Sequence, residues 1–305
     1  MPTISRVADS HSRAARAFSL IEFLAVMVIV GVLLIILLPA ISGTRVSAHR
    51  MQCANQMRQL GIALHNYQTA HRVLPPGWVG AEGEQPWVDG SPGWAWGYFL
   101  LPYLEQTNVA TSVTPGDGVM DRMNAGIRTL DLVTFRCPGD SRGKKVFRVA
   151  RRGGTKTLTT MAVASYPGVF GPRATSECEG LPAGQPCDGG GVFFLNSRVT
   201  LSSIADGMSQ TLFVGERSMR TAPAVWLGVP AGGQNAIALA VGSTRTPPND
   251  PGKPPDGFSS VHPYGVNFVI GDGAVRFILD DVEPTVYKAL STRDGAEPIS
   301  DSWKH

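Results

Sequence analysis

The chain has 305 residues, enough for one large domain or two small ones, and 43% of them are apolar, so a packed core is within reach. A net charge of +3 is nearly neutral and gives no reason to expect a nucleic-acid partner. With 35 glycines and 23 prolines the chain reads as rich in turns and loops, short of a disordered composition.

Residues 1–17 form a short polar leader, with Arg6, Arg13 and Arg16 against the single acidic residue Asp9. An apolar run follows over 18–41, broken by one charge, Glu22. It is about as long as the roughly 20 residues a membrane-spanning helix needs. Arginines ahead of it predict a cytoplasmic N-terminus on a single-pass cytoplasmic (inner) membrane protein, with the body periplasmic or extracellular. A carboxylate in such a helix costs on the order of 2–3 kcal/mol at the bilayer centre, so Glu22 is expected to have a partner.

The stretch Arg16-Ala17-Phe18-Ser19-Leu20-Ile21-Glu22 resembles the prepilin cleavage and methylation motif of type IV pilins and type II secretion pseudopilins. The resemblance implies a cut between Ala17 and Phe18 by a prepilin peptidase, followed by N-methylation of Phe18. Glu22 then stands fifth in the mature chain, where such a residue neutralises a neighbouring subunit's amine during assembly. Pro39 stands twenty-second, where many pilins also carry proline. The family usually has glycine before the cut, and this chain has Ala17. Two other readings compete. One is a conventional signal peptide cut after Val46-Ser47-Ala48, whose apolar region would be longer than the usual 7–15 residues. The other is an uncleaved anchor.

Beyond the apolar run, Val46, Cys53, Leu60 and Tyr67 fall seven apart, with Met57 and Leu64 between them. Alternating steps of three and four predict one amphipathic face. The pattern stops at Leu74-Pro75-Pro76-Gly77. One helix over 18–70 is expected, bent near Pro39, its first half anchoring or polymerising and its second half packing on the body.

In the body, 71–305, residues 94–106 read as a short helix or an apolar loop. Strands are expected at 146–150, 158–165, 192–195, 211–215, 236–241, 266–270 and 274–279. The last two flank Gly271-Asp272-Gly273, which predicts a terminal hairpin. The expected fold is α+β and pilin-like, with a long N-terminal helix, membrane-spanning in its first half, on an antiparallel, sheet-rich body. Four cysteines, Cys53, Cys137, Cys178 and Cys187, include no Cys-x-x-Cys pair. In an exported body they allow two disulfides and three connectivities. Separation favours Cys178 with Cys187, then Cys53 with Cys137.

Several body motifs resemble one family. They are the run from Cys53 to Tyr67 with its Leu-Pro-Pro-Gly stop, Leu101-Pro102-Tyr103-Leu104-Glu105-Gln106, Phe135-Arg136-Cys137-Pro138, and Ile204-Ala205-Asp206-Gly207. His262 followed after nine residues by Asp272-Gly273 completes the set. They resemble the bacterial domain-of-unknown-function family 1559, whose members carry prepilin-type N-termini. The resemblance implies a pseudopilin-like protein without an established activity, and leaves His262, Asp272 and Gly273 as signature residues of unknown role.

No catalytic set is expected. His262 and Asp272 are separated by about 30 Å if the chain between them is extended. No cofactor or metal is called for. Asp188 before Gly189-Gly190-Gly191 is a weak calcium candidate, lacking surrounding oxygen ligands. Trp78, Trp87, Trp94 and Trp96 suit core packing better than a sugar- or peptide-binding surface. The leading expectation is a pilin-like structural subunit whose partners are the prepilin peptidase, the cytoplasmic membrane and like subunits. A surface-anchored binding module and an exported hydrolase without a recognisable motif are the alternatives.

Overall fold

Ser19 opens the first helix, α1, Leu20–His71, with a reciprocal cap. The Ser19 N–H donates to Glu22 Oε2 at 2.9 Å, and the Glu22 N–H donates to Ser19 Oγ at 3.3 Å. Such a Ser-x-x-Glu box satisfies donors that a helix start otherwise leaves unpaired. This computed structural model describes residues 19–80, 88, 90–114, 116, 118–140, 144–182, 184–252, 254–299 and 303, without the side chains of 36–46. The predicted cleavage and methylation residues Ala17 and Phe18, the Pro39 and Val46 side chains, and Trp87 lie outside the described residues.

The chain divides into two compact units, Met1–Ser47 and Ala48–His305, at a point inside α1. In the first unit the described turns of α1 expose apolar side chains all round, from Leu20 (80%) and Ile21 (75%) to Ile35 (71%). Among the described residues, however, no helix is long and apolar enough to cross a membrane. The expected membrane-spanning first half is corrected accordingly.

The second unit is mixed α/β. Cys53, Met57, Leu60, Leu64 and Tyr67 of α1 are buried in its core, following the expected steps of four and three. After α1 come β1 (Trp78–Gly80), β2 (Pro92–Ala95), α2 (Trp96–Phe99), α3 (Thr107–Ser112) and α4 (Ala125–Arg128). A ribbon of β3 (Val146–Ala150) and β4 (Thr157–Ala162) follows, then β5 (Gly168–Gly171) and β6 (Leu212–Gly215). The chain closes with α5 (Ala236–Ala240), β7 (Val241–Ser243), β8 (Gly265–Ile270), β9 (Val275–Leu279) and α6 (Pro284–Ala289).

Five strands form one sheet in the order β7-β5-β6-β8-β9. β5 and β7 pair in parallel, so the sheet is mixed and the antiparallel expectation is corrected. A parallel neighbour needs a long crossover, which the residues between β5 and β7 supply. Residues 236–241, expected as a strand, instead form the buried helix α5 and the start of β7. A short apolar run reads equally as strand or buried helix, and Ala-Ile-Ala-Leu-Ala is rich in helix formers. Residues 192–195 form no strand; Leu195 only bridges to Trp78.

β8 and β9 make the expected terminal hairpin. Gly273 takes φ +84° in its turn, a conformation that suits glycine. α1 runs close against this turn. A Cβ on Gly61 would meet Val269 Cγ1 at 3.1 Å and the Gly273 carbonyl oxygen at 3.2 Å. Arg50 of α1 places its guanidinium 3.5 Å from the centre of the Phe277 ring on β9.

Candidate functional site

The body buries several charged and polar side chains, and four donor-bearing groups meet at one point. β6 ends at Gly215, and the next residue, Glu216, continues the ladder by donating its N–H to the Asn267 carbonyl of β8 (3.1 Å). Its carboxylate is 2% exposed. Oε2 accepts from the Asn267 N–H (3.1 Å), Asn267 Nδ2 (2.9 Å) and Ser260 Oγ (3.1 Å). Oε1 has no hydrogen-bond partner. It lies 3.5 Å from His262 Nε2, within ion-pair range but too long for a good hydrogen bond.

His262 precedes β8 and donates its N–H to Ser260 Oγ at 3.1 Å, a local turn that sets the ring. Its Nε2 also lies 3.5 Å from Cys137 Sγ. Cys137 is bonded to Cys53 of α1, and Cys178 is bonded to Cys187, the two pairs that separation favours. Ligand atoms of Cys53, Cys137, Glu216 and His262 all lie within 4.8 Å of one another, and all four residues are buried. Gly139 walls the cluster. A Cβ there would approach His262 Cε1 to 3.1 Å and Cys137 Sγ to 3.5 Å. As a disulfide, the two sulfurs are weak donors, so the oxidised cluster is a packed joint between α1, the loop at Cys137 and the sheet.

Buried charge continues beside it. Asp140 Oδ2 accepts the Met219 N–H at 2.7 Å, and burial pushes its carboxyl above the usual range despite that bond. Arg217 is fully buried and donates to the carbonyls of Gly257 (2.7 Å), Asp256 (2.8 Å), Val241 (3.3 Å) and Ala238. Burial lowers its pKa to about 10, with Asp256 and Tyr287 opposing the shift. Its part is to tie loop carbonyls to the sheet. The Tyr166 hydroxyl donates to Gln56 Oε1 at 2.9 Å, and burial, aided by Glu216, raises it well above the ordinary tyrosine value.

The remaining sequence candidates lie elsewhere. Asp272 Oδ1 accepts the Ala274 N–H at 2.9 Å within the hairpin turn, so it shapes backbone. β8 stands between it and His262, whose carboxylate neighbour is Glu216. Asp188 is bound by Arg293 through both oxygens, at 2.9 and 2.7 Å, and by the Gly190 N–H at 2.8 Å, which leaves no calcium role. Trp78, Trp94 and Trp96 are buried in the core. Glu22 is exposed at the start of α1, with its carboxylate in the cap.

Sequence reasoning singled out His262 and both cysteines but missed Glu216. The available signal was slight: Gly215-Glu216-Arg217-Ser218 places two charges directly after an apolar strand, where a turn into solvent is the ordinary reading. A separate concavity of about 390 Å³ is lined by Tyr67, His71, Phe99, Asn196 and Arg198 among others. His71 Nε2 contacts the Tyr103 hydroxyl at 3.0 Å, and its ring stacks on Tyr67 at 4.2 Å.

No curated protein and no solved structure matches the chain. Residues 44–285 match the family described as protein of unknown function, DUF1559. That match covers the second half of α1, both disulfides and the cluster around His262, and the chain therefore belongs to the DUF1559 family.

Proposed function

We propose that this DUF1559 chain is a pilin-like envelope subunit. A prepilin peptidase cuts it between Ala17 and Phe18 and methylates Phe18. The body is held at the cytoplasmic membrane, on its oxidising side. The part of α1 in the first unit then packs against its like in a secretion pseudopilus or other filament.

The observation that carries this reading is the apolar surface of α1 in the first unit. A helix apolar on every side is stable only when covered, and Phe23, Val28, Leu33 and Ile35 are all more than half exposed. Two disulfides in the second unit suit an oxidising compartment. Mass mapping of the N-terminus of membrane-extracted protein tests it. The expected chain begins at Phe18 and carries one added methyl group. A start at His49 or an intact Met1 would overturn prepilin processing.

The concavity beside Tyr67 and Arg198 favours a second reading, a surface-anchored binding module. Its aromatic wall and single guanidinium suit a small anionic or cyclic ligand. Because Cys53, Met57, Leu60, Leu64 and Tyr67 of α1 are core, the unit for a ligand screen is 48–305, and a fragment starting at 72 would lack them. Saturable ligand retention lost on Arg198→Ala would support this reading, and its absence across a broad screen would remove it.

A further inference from the structure

We propose that the Cys53–Cys137 joint is also a metal site: in its dithiol form, Cys53, Cys137, His262 and Glu216 bind one thiophilic divalent cation, zinc above others. The inference does not depend on filament assembly. It rests on the geometry of the cluster in the second unit.

The donor set comes first. Two thiolates, an imidazole and a carboxylate are the ligand types zinc takes in tetrahedral sites. Four such atoms within 4.8 Å, all buried, already converge. With metal–sulfur bonds of about 2.3 Å and metal–nitrogen or metal–oxygen bonds of about 2.0 Å, a tetrahedron has sulfur–nitrogen edges of about 3.5 Å and nitrogen–oxygen edges of about 3.3 Å. His262 Nε2 lies 3.5 Å from Cys137 Sγ and 3.5 Å from Glu216 Oε1. Two of the edges are therefore in place before any ion enters.

The carboxylate supplies an independent sign. Glu216 is 2% exposed, and its Oε1, the oxygen facing His262, has no hydrogen-bond partner. A buried carboxylate oxygen left in this way calls for an explanation, and a cation is a standard one. Its other oxygen is fixed by three donors, two from Asn267 and one from Ser260. Outer partners of this kind orient metal-ligating carboxylates. The arrangement has the form of a ligand held ready, with Oε1 3.5 Å from His262 Nε2 inside the cluster.

The chemistry balances simply. A thiol or phosphine reductant delivers two electrons, and with two protons the sulfur–sulfur bond becomes two thiols. The cation displaces both thiol protons to solvent as the sulfurs part to about 3.8 Å, the sulfur–sulfur edge of a zinc tetrahedron. Disulfide and metal are thus mutually exclusive states of one joint: a small-molecule disulfide taking two electrons and two protons would become two thiols, reform the Cys53–Cys137 bond and expel the ion.

The test uses the full chain in detergent, carrying Cys178→Ser and Cys187→Ser so that only the joint supplies thiols. The chain is reduced with a phosphine, stripped of metal, and titrated with zinc against a chromophoric chelator and with cobalt. One zinc per reduced chain is expected, none per oxidised chain, and cobalt should give thiolate charge-transfer and tetrahedral d–d bands. Glu216→Gln and His262→Ala should each weaken zinc binding by about ten-fold or more. Failure of the reduced chain to bind, or binding unchanged in both variants, would overturn the proposal. If reduction alone loosens the body, near-ultraviolet circular dichroism from the buried Trp78, Trp96 and Trp226 becomes the readout. Zinc should then restore the signal at one equivalent, and no recovery would equally overturn the site.

Discussion

Glu22 carries two separable duties under the proposed function: it closes a cap with Ser19, and its charge answers a neighbouring subunit's amine. Glutamine at the third helical position also closes such a box. Glu22→Gln is therefore expected to keep the helix start while losing the charge, and Glu22→Ala to lose both. If charge pairing drives assembly, both variants should be cleaved normally and yield few cross-linked oligomers in membranes. Normal oligomers from Glu22→Gln would reduce the residue to a cap, worth about 1 kcal/mol. The motif spacing made Glu22 conspicuous in the sequence. Its bond to Ser19 was not expected from the sequence, although a Ser-x-x-Glu run ahead of an apolar stretch is a helix-start signature.

At the scale of the elements, the second half of α1 is a core element of the body. Leu60 is completely buried, whereas Ile62 is 55% exposed. In unit 48–305, Leu60→Ala should cost about 2–5 kcal/mol by denaturant unfolding, and Ile62→Ala within about 0.5 kcal/mol of nothing. Equal costs would mean that this face is not the packed one. The α1 stripe and the β8–β9 hairpin could be read ahead of the structure because periodicity and Gly-Asp-Gly turn chemistry are local. The centre of the sheet could not. β5 is four residues bounded by glycines, with Gly171 at φ +121°, so it carries no alternation to detect. The cluster at His262 draws on α1, the loop at Cys137, the end of β6 and the lead into β8. Only tertiary pairing brings Glu216 to the histidine, and no spacing in the chain encodes that meeting.

Across the whole molecule, stability depends on cross-links and on buried hydroxyls. The bridges close separations of 84 and 9 residues. On chain-entropy grounds, replacing Cys53 and Cys137 by alanine should cost about 2 kcal/mol more than replacing Cys178 and Cys187, measured by denaturant unfolding without added metal. An equal or reversed order would place the stabilisation in local packing instead. Tyr166 and Tyr287 have folded pKa values raised above the ordinary 10.0, chiefly by burial. Above that pH the folded chain retains protons that the unfolded chain loses, so stability present below pH 10 declines as pH rises further. The phenolate absorbance of these two tyrosines should appear together with unfolding, and its appearance in a chain still folded would contradict their burial.

The position of Cys53 also has a mechanical meaning. It is the first core residue of α1 within the second unit, ahead of Met57, Leu60, Leu64 and Tyr67. Tension drawn along α1 from its N-terminal side reaches a covalent bond before it reaches any of those packed side chains. The oxidised joint therefore acts as a strain relief, shielding the hydrophobic seam from peeling. In single-molecule pulling, α1 should strip from the body at markedly lower force once that bond is reduced, and an unchanged rupture force would show that the load enters elsewhere.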